Sequence, residues 1–66
     1  MQLTINGDAR MIDRADTVEQ LLHVLGLDPR AVVVELNRQI IRRPAVAATS
    51  VAEGDVIEIV HFVGGG

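Results

Sequence analysis

Polar and apolar positions alternate at the start of the chain. Met1, Leu3 and Ile5 share one face with Gln2 and Thr4 between them, which predicts a strand. Asn6-Gly7 is a hairpin signal. A bare two-residue loop would set Ile5 opposite Asp8 and Leu3 opposite Arg10. A three-residue loop sets Ile5 opposite Ala9 and Leu3 opposite Met11, and it keeps apolar side chains together, because directly opposed residues share a face. The second register is therefore expected, with a second strand over residues 9–12.

Farther on the period changes. Val18, Leu21, Leu22 and Leu25 follow the i, i+3, i+4, i+7 spacing of one helical stripe. Thr17 and Gln20 have the spacing of a capping box, Glu19 suits the positive end of the helix dipole, and Gly26 followed by Leu27 suits a left-handed stop. This predicts a helix over residues 18–25. Asp28-Pro29-Arg30 reads as a turn. Val32-Val33-Val34-Glu35-Leu36 reads as a third strand with Val32, Val34 and Leu36 inward. Asn37-Arg38 then turns the chain into a short fourth strand over residues 39–41. Residues 42–49 are weakly patterned; Pro44 suits the opening of a single helical turn. Glu53-Gly54-Asp55 is a turn before the last strand.

In that last strand Ile57 and Ile59 share one face, and Val56, Glu58, Val60 and Phe62 share the other. Glu58 marks the second face as the wetter one, which puts Val60 and Phe62 outside. Phe62 is the only aromatic residue of the chain. Two readings stand for it: an anchor in a contact surface, as aromatics commonly are, or a ring folded back over the sheet edge. Directly after this strand come Val63 and then Gly64-Gly65-Gly66. Glycine loses the most conformational freedom on ordering, so three together are not there to pack. They offer a bare backbone and an unhindered carboxylate. If the end reacts, the reacting carbon is the carboxyl of Gly66, with Gly65 and Gly64 as its narrow leader. The plain alternative is a flexible terminus or a remnant of cloning.

Composition narrows the function classes. A chain of 66 residues makes one small domain, and such a domain buries only about 60% of its unfolded surface. An enclosed ligand cavity would compete with the core for the same side chains, which favours a binding or carrier module over a free-standing enzyme. The net charge of −3 and the lack of a basic run disfavour nucleic acid as the partner. There is no cysteine, hence no disulfide, thiolate metal site or thiol nucleophile. Met1 leads straight into a strand pattern without an apolar leader, and no apolar run approaches the roughly 20 residues of a membrane span. A cytoplasmic protein without membrane contact is expected. His23 lies off the helical stripe, and His61 is the only other histidine, so a metal site is not expected. Arg42-Arg43 reads as solvated surface. All six basic residues are arginine. That would keep side-chain amines away from an activated terminus, but the codon bias of a GC-rich genome is the better account.

Strand, strand, helix, strand, short strand, strand is an α+β order with the helix on one face of a single sheet. With the first and last strands adjacent, it is a β-grasp, or ubiquitin-like, arrangement: a mixed sheet of four to five strands, one domain over residues 1–63 and a glycine tail over residues 64–66. Over its whole length the chain resembles the ThiS family, the sulfur carriers of thiamin biosynthesis. The resemblance is carried by Met1-Gln2-Leu3-Thr4-Ile5-Asn6-Gly7, Thr17-Val18, Leu21-Leu22, Val34-Glu35-Leu36-Asn37, Ile40-Ile41, Arg43 and Glu53-Gly54-Asp55. It is completed by Glu58-Ile59-Val60-His61-Phe62-Val63-Gly64-Gly65-Gly66. Two departures fall near the third strand, where the family often has glycine at position 38 and proline at position 42 and this chain has arginine at both.

The resemblance implies a covalent carrier with no catalytic group, bound cofactor or metal of its own. It implies that a ubiquitin-activating-enzyme-like adenylyltransferase uses ATP to convert the Gly66 carboxylate to an acyl-adenylate. Sulfur from a cysteine desulfurase or rhodanese-type donor then makes a thiocarboxylate, which thiazole synthase consumes. Gly65 and Gly64 would thread the partner sites, and Val60 and Phe62 would form a partner surface. Two other readings accompany it: the small subunit of molybdopterin synthase, whose chains tend to be longer with prolines before the glycines, and a ubiquitin-like interaction module whose end never reacts.

Overall fold

The computed structural model describes residues 1–62 of the chain. Strand β1 (Gln2–Ile5) turns through Asn6 and Gly7 into β2 (Asp8–Met11). The register differs from the expected one: Ile5 lies opposite Asp8, Thr4 opposite Ala9 and Leu3 opposite Arg10. Asn6 and Gly7 have φ of 50° and 85°, the left-handed pair of a two-residue loop whose twist matches the flanking strands. Nothing opposes this register, because β2 is exposed along its whole length and has no apolar face to keep dry. Met11, placed inward by the expected pairing, is 76% exposed. Ile12, just past the strand, is the residue that enters the core. Its N–H donates to Met1 O at 2.9 Å, and the Met1 ammonium donates to Ile12 O at 2.7 Å.

Helix α1 (Val18–Val24) buries Val18, Leu21 and Leu22. Leu25 is its C-cap rather than its last turn. Thr17 Oγ1 accepts from Gln20 N at 3.2 Å, and Gln20 Oε1 accepts from Asp16 N at 2.7 Å, one residue outside the usual capping-box donor. The stop is a Schellman motif: Gly26, at φ 77°, donates to His23 O and Leu27 donates to Leu22 O at 2.8 Å. The other two donors of the first turn, Val18 N and Glu19 N, donate to Thr49 O and Val46 O at 2.9 and 3.0 Å. The weakly patterned segment therefore covers the start of α1 and sends Val46 into the core, with Val51 just after it also buried.

A 3₁₀ turn at Pro29–Ala31, capped by Asp28, leads into β3 (Val32–Leu36). The Asp28 carboxylate accepts from the Arg30 side chain and backbone, and these bonds hold its pKa below the ordinary carboxylate value. Strand β4 (Gln39–Ile41) follows, then a 3₁₀ turn at Arg43–Ala45 containing Pro44, and finally β5 (Val56–His61). The sheet order is β2-β1-β5-β3-β4, with β1 and β5 parallel and the other neighbours antiparallel. Leu3, Ile5, Val32, Val34, Ile57 and Ile59 line its inner face and pack with the α1 stripe. This is the β-grasp architecture. No polar side chain among the described residues is buried. Among the described residues no helix is long and apolar enough to cross a membrane.

Candidate functional site

The site is organised by β5, the central strand. Its backbone alternates between neighbours. Asp55 O and Ile57 O accept from Thr4 N and Asn6 N on the β1 side, whereas Val56 O accepts from Asn37 N on the β3 side. Strand β1 ends early, at the Ile5–Ile57 pair. There Asn6 supplies a further rung with its side chain: Oδ1 accepts from Ile59 N at 2.7 Å and Nδ2 donates to Ile59 O at 3.2 Å. Asn37 does the equivalent at the opposite edge and end of β5. Its Oδ1 accepts from Val56 N at 2.9 Å, and its Nδ2 donates to Asp55 Oδ1 at 3.1 Å. Both asparagines sit at φ 50°, where this side chain is better tolerated than most. Arg38, next to Asn37, takes φ 73°, so the turn keeps its left-handed geometry without the family's frequent glycine.

Held in this way, β5 turns Ile57 and Ile59 into the core and Val56, Glu58 and Val60 outward. Val60 is 62% and Phe62 56% exposed. Phe62 N donates to Ala31 O at 2.9 Å. The ring shares a shallow depression with Val33, Ile40 and Arg42. His61 is exposed and lines a smaller cleft with Arg10, Leu25 and Leu27 on the helix side. His23 is exposed on α1, and the described residues hold no cluster of three metal-ligating side chains. The expectations for Gly64, Gly65 and Gly66, and the domain boundary at residue 63, lie outside the described residues. Strand β5 ends at His61, five residues before the end of the chain.

Pairing adds two groups to this face that the sequence reading did not single out. Val33 lies opposite Val60, and Glu35 lies opposite Glu58. Ile40, on the far side of Glu35, is 66% exposed. The alternation within β3 places Val33 and Glu35 outward, but their opposition to Val60 and Glu58 depends on the β3–β5 register, which no local pattern fixes.

Fold and site together define a ubiquitin-like β-grasp domain, with the strand nearest the chain's end at its centre and an exposed apolar face along it. The profile of the ThiS family matches residues 3–66, and the chain belongs to that family. It is 40% identical over 65 residues to the sulfur carrier protein ThiS of Bacillus subtilis, covering 97% of this chain and 98% of that protein. It is 47% identical over all 66 residues to a thiazole synthase of Paramagnetospirillum magneticum, of which it spans 20%. A thiazole synthase of Magnetococcus marinus matches at 39%, again over 20% of its length. The crystal structure of the thiamine biosynthesis protein ThiS from Geobacter metallireducens superposes with a TM-score of 0.85 at 40% identity, each chain covered completely.

Proposed function

We propose that this chain is a sulfur carrier for the thiazole of thiamin, working in the cytoplasm as a co-substrate and not as a catalyst. The observation that carries this reading is the family match. It runs through the terminal glycines, and it includes a sulfur carrier of nearly the same length. The similarity to one fifth of two thiazole synthases supports thiazole synthase as the consumer of the sulfur and favours the thiamin route over molybdopterin synthesis.

The chemistry falls on the Gly66 carboxyl. A carboxylate is nucleophilic but a poor electrophile. In an adenylyltransferase partner its oxygen attacks the α-phosphate of ATP and pyrophosphate leaves. The acyl-adenylate then carries a good leaving group. The outer sulfur of a donor persulfide displaces AMP, and a thiol cleaves the resulting S–S bond reductively to leave a thiocarboxylate. One difficult substitution becomes a series of easier ones. ATP binds the partner; the carrier holds no cofactor. Gly64 and Gly65 let enzyme backbone approach closely. Ordering them costs about 1–2 kcal/mol per residue, which contact at Val60 and Phe62 offsets.

The test is intact mass after incubation with ATP, the cognate adenylyltransferase and a persulfide donor. One oxygen replaced by sulfur, located on the last peptide, is the expected result. An unchanged mass would leave the non-reactive interaction module as the better reading. Supplying thiazole synthase and its substrates should then discharge the sulfur and restore the original mass.

A further inference from the structure

The outer sheet face carries a conflict that the core does not. Glu35 and Glu58 are directly opposed on adjacent strands, a pairing that brings two like charges to Cβ separations of about 4.5–5.5 Å and destabilises the sheet. Their neighbours do nothing to relieve it. Along β5, Glu58 lies between Val56 and Val60, which are 45% and 62% exposed. Along β3, Glu35 is outward with Val33, and across the sheet it meets Ile40. The outward residues of β1 and β2 are Gln2, Thr4, Ala9 and Met11, none of them charged. Arg38 and Arg42 flank β4, Arg42 in the depression that also holds Val33 and Phe62. Neither is ion-paired to a glutamate: among the described residues the one ion pair joins Arg30 and Asp28. An acidic pair thus sits among the exposed apolar side chains Ile40, Val56 and Val60. Sequences that break a local rule usually do so where function requires it.

We infer that Glu35 and Glu58 together receive one arginine side chain from an apolar surface of the adenylating enzyme, so that Val33, Ile40, Val56 and Val60 pack around a single bridging guanidinium. This rests on the carrier reading above. Guanidinium fits better than ammonium. It is planar, weakly hydrated and fork-shaped, so it can donate to two carboxylates at once while lying against aliphatic groups. The pair also resolves its own repulsion only when such a cation is present, so the face gains from the correct partner and is penalised against an acidic or purely apolar one. The position defines what the contact does. The arginine meets β5 at Glu58, eight residues before Gly66 in the sequence and on a different segment from the reacting tail. It governs docking and leaves the chemical step untouched.

The experiment compares wild type with the Glu35→Gln/Glu58→Gln double variant in two assays. One is binding to the cognate adenylyltransferase without ATP; the other is adenylation kinetics with ATP. Both are run at low and at high salt, beside a thermal melt of the carrier alone. The expected result has opposite signs. The double variant melts at the same temperature or higher, because repulsion is removed. Its Kd and KM rise at least about tenfold at low salt, kcat at saturation is unchanged, and the salt dependence of binding flattens. Unchanged Kd at low salt overturns the inference, as does a fall in melting temperature, which would make the pair structural. Weakened binding to thiazole synthase alone overturns the assigned partner. The carrier reading fails separately: wild type would then gain no sulfur, whatever the binding assay shows for the glutamates.

Discussion

At the scale of single residues, the two asparagines that begin the hairpin turns act on β5 rather than on their own hairpins. Asn6→Ala removes both side-chain bonds to Ile59 and keeps the left-handed backbone strain. A stability loss of about 2–3 kcal/mol by urea unfolding is expected. Asn6→Gly relieves the backbone but still loses the bonds, and it should fall between wild type and alanine; an Asn6→Gly protein as stable as wild type would show that the amide contributes no more than the strain relieved. Arg38 is the converse case, with φ 73° and no side-chain hydrogen bond among the described residues. Arg38→Gly should raise stability by up to about 1 kcal/mol, the left-handed penalty less glycine's added chain entropy, read as a shift of the unfolding midpoint at constant m-value. Gly65 differs from both, because the narrow-leader role proposed for it requires no packing. Gly65→Val should abolish sulfur loading in the mass assay while the melting temperature stays within a degree or so; a protein with a large melting shift would refute its role as a narrow leader.

At the scale of elements, Val46 tests the segment that covers the start of α1. It is 6% exposed, and its carbonyl accepts from Glu19 N. Val46→Ala keeps that backbone bond and removes only side-chain volume, so a loss of about 1–2 kcal/mol by chemical denaturation is expected. A larger loss would mean that the covering segment detaches. Helix α1, β3, β4 and the two-sided character of β5 were all legible in the sequence, because each has its own period, cap or turn residue. The hairpin register was not. The rule that opposed residues share a burial class applies when both strands are half-buried, and β2 is an edge strand with no dry side. There the turn geometry of Asn6-Gly7 decides, and it demands two residues. The segment around Val46 and Val51 was illegible for a different reason. It contributes isolated side chains and carbonyls, which leave no periodic trace. Of the site, the outward parity of Val60 was legible because Glu58 marks the face. The Glu35–Glu58 opposition joins residues from separate strands and appears only once the sheet is assembled.

At the scale of the whole molecule, Val56 and Val60 are exposed apolar side chains along β5, and Phe62 lies just beyond its end. Because Phe62 is 56% exposed, Phe62→Ala should leave the melting temperature nearly unchanged and raise KM for adenylation about tenfold or more, the usual size of a lost aromatic anchor. An unchanged KM would remove Phe62 from the docking surface. The central placement of β5 has a consequence for how the chain is made. The segment containing β1, β2 and α1 and the segment containing β3 and β4 share no strand pairing; each pairs with β5. During synthesis neither can complete the sheet until residues up to His61 have emerged from the ribosome. A chain that stalls or is clipped before Val56 loses the sheet's centre, the face that a partner would grip and the lead to its own terminus together. A loading enzyme that grips this face would therefore reject chains cut before Val56 without any separate check.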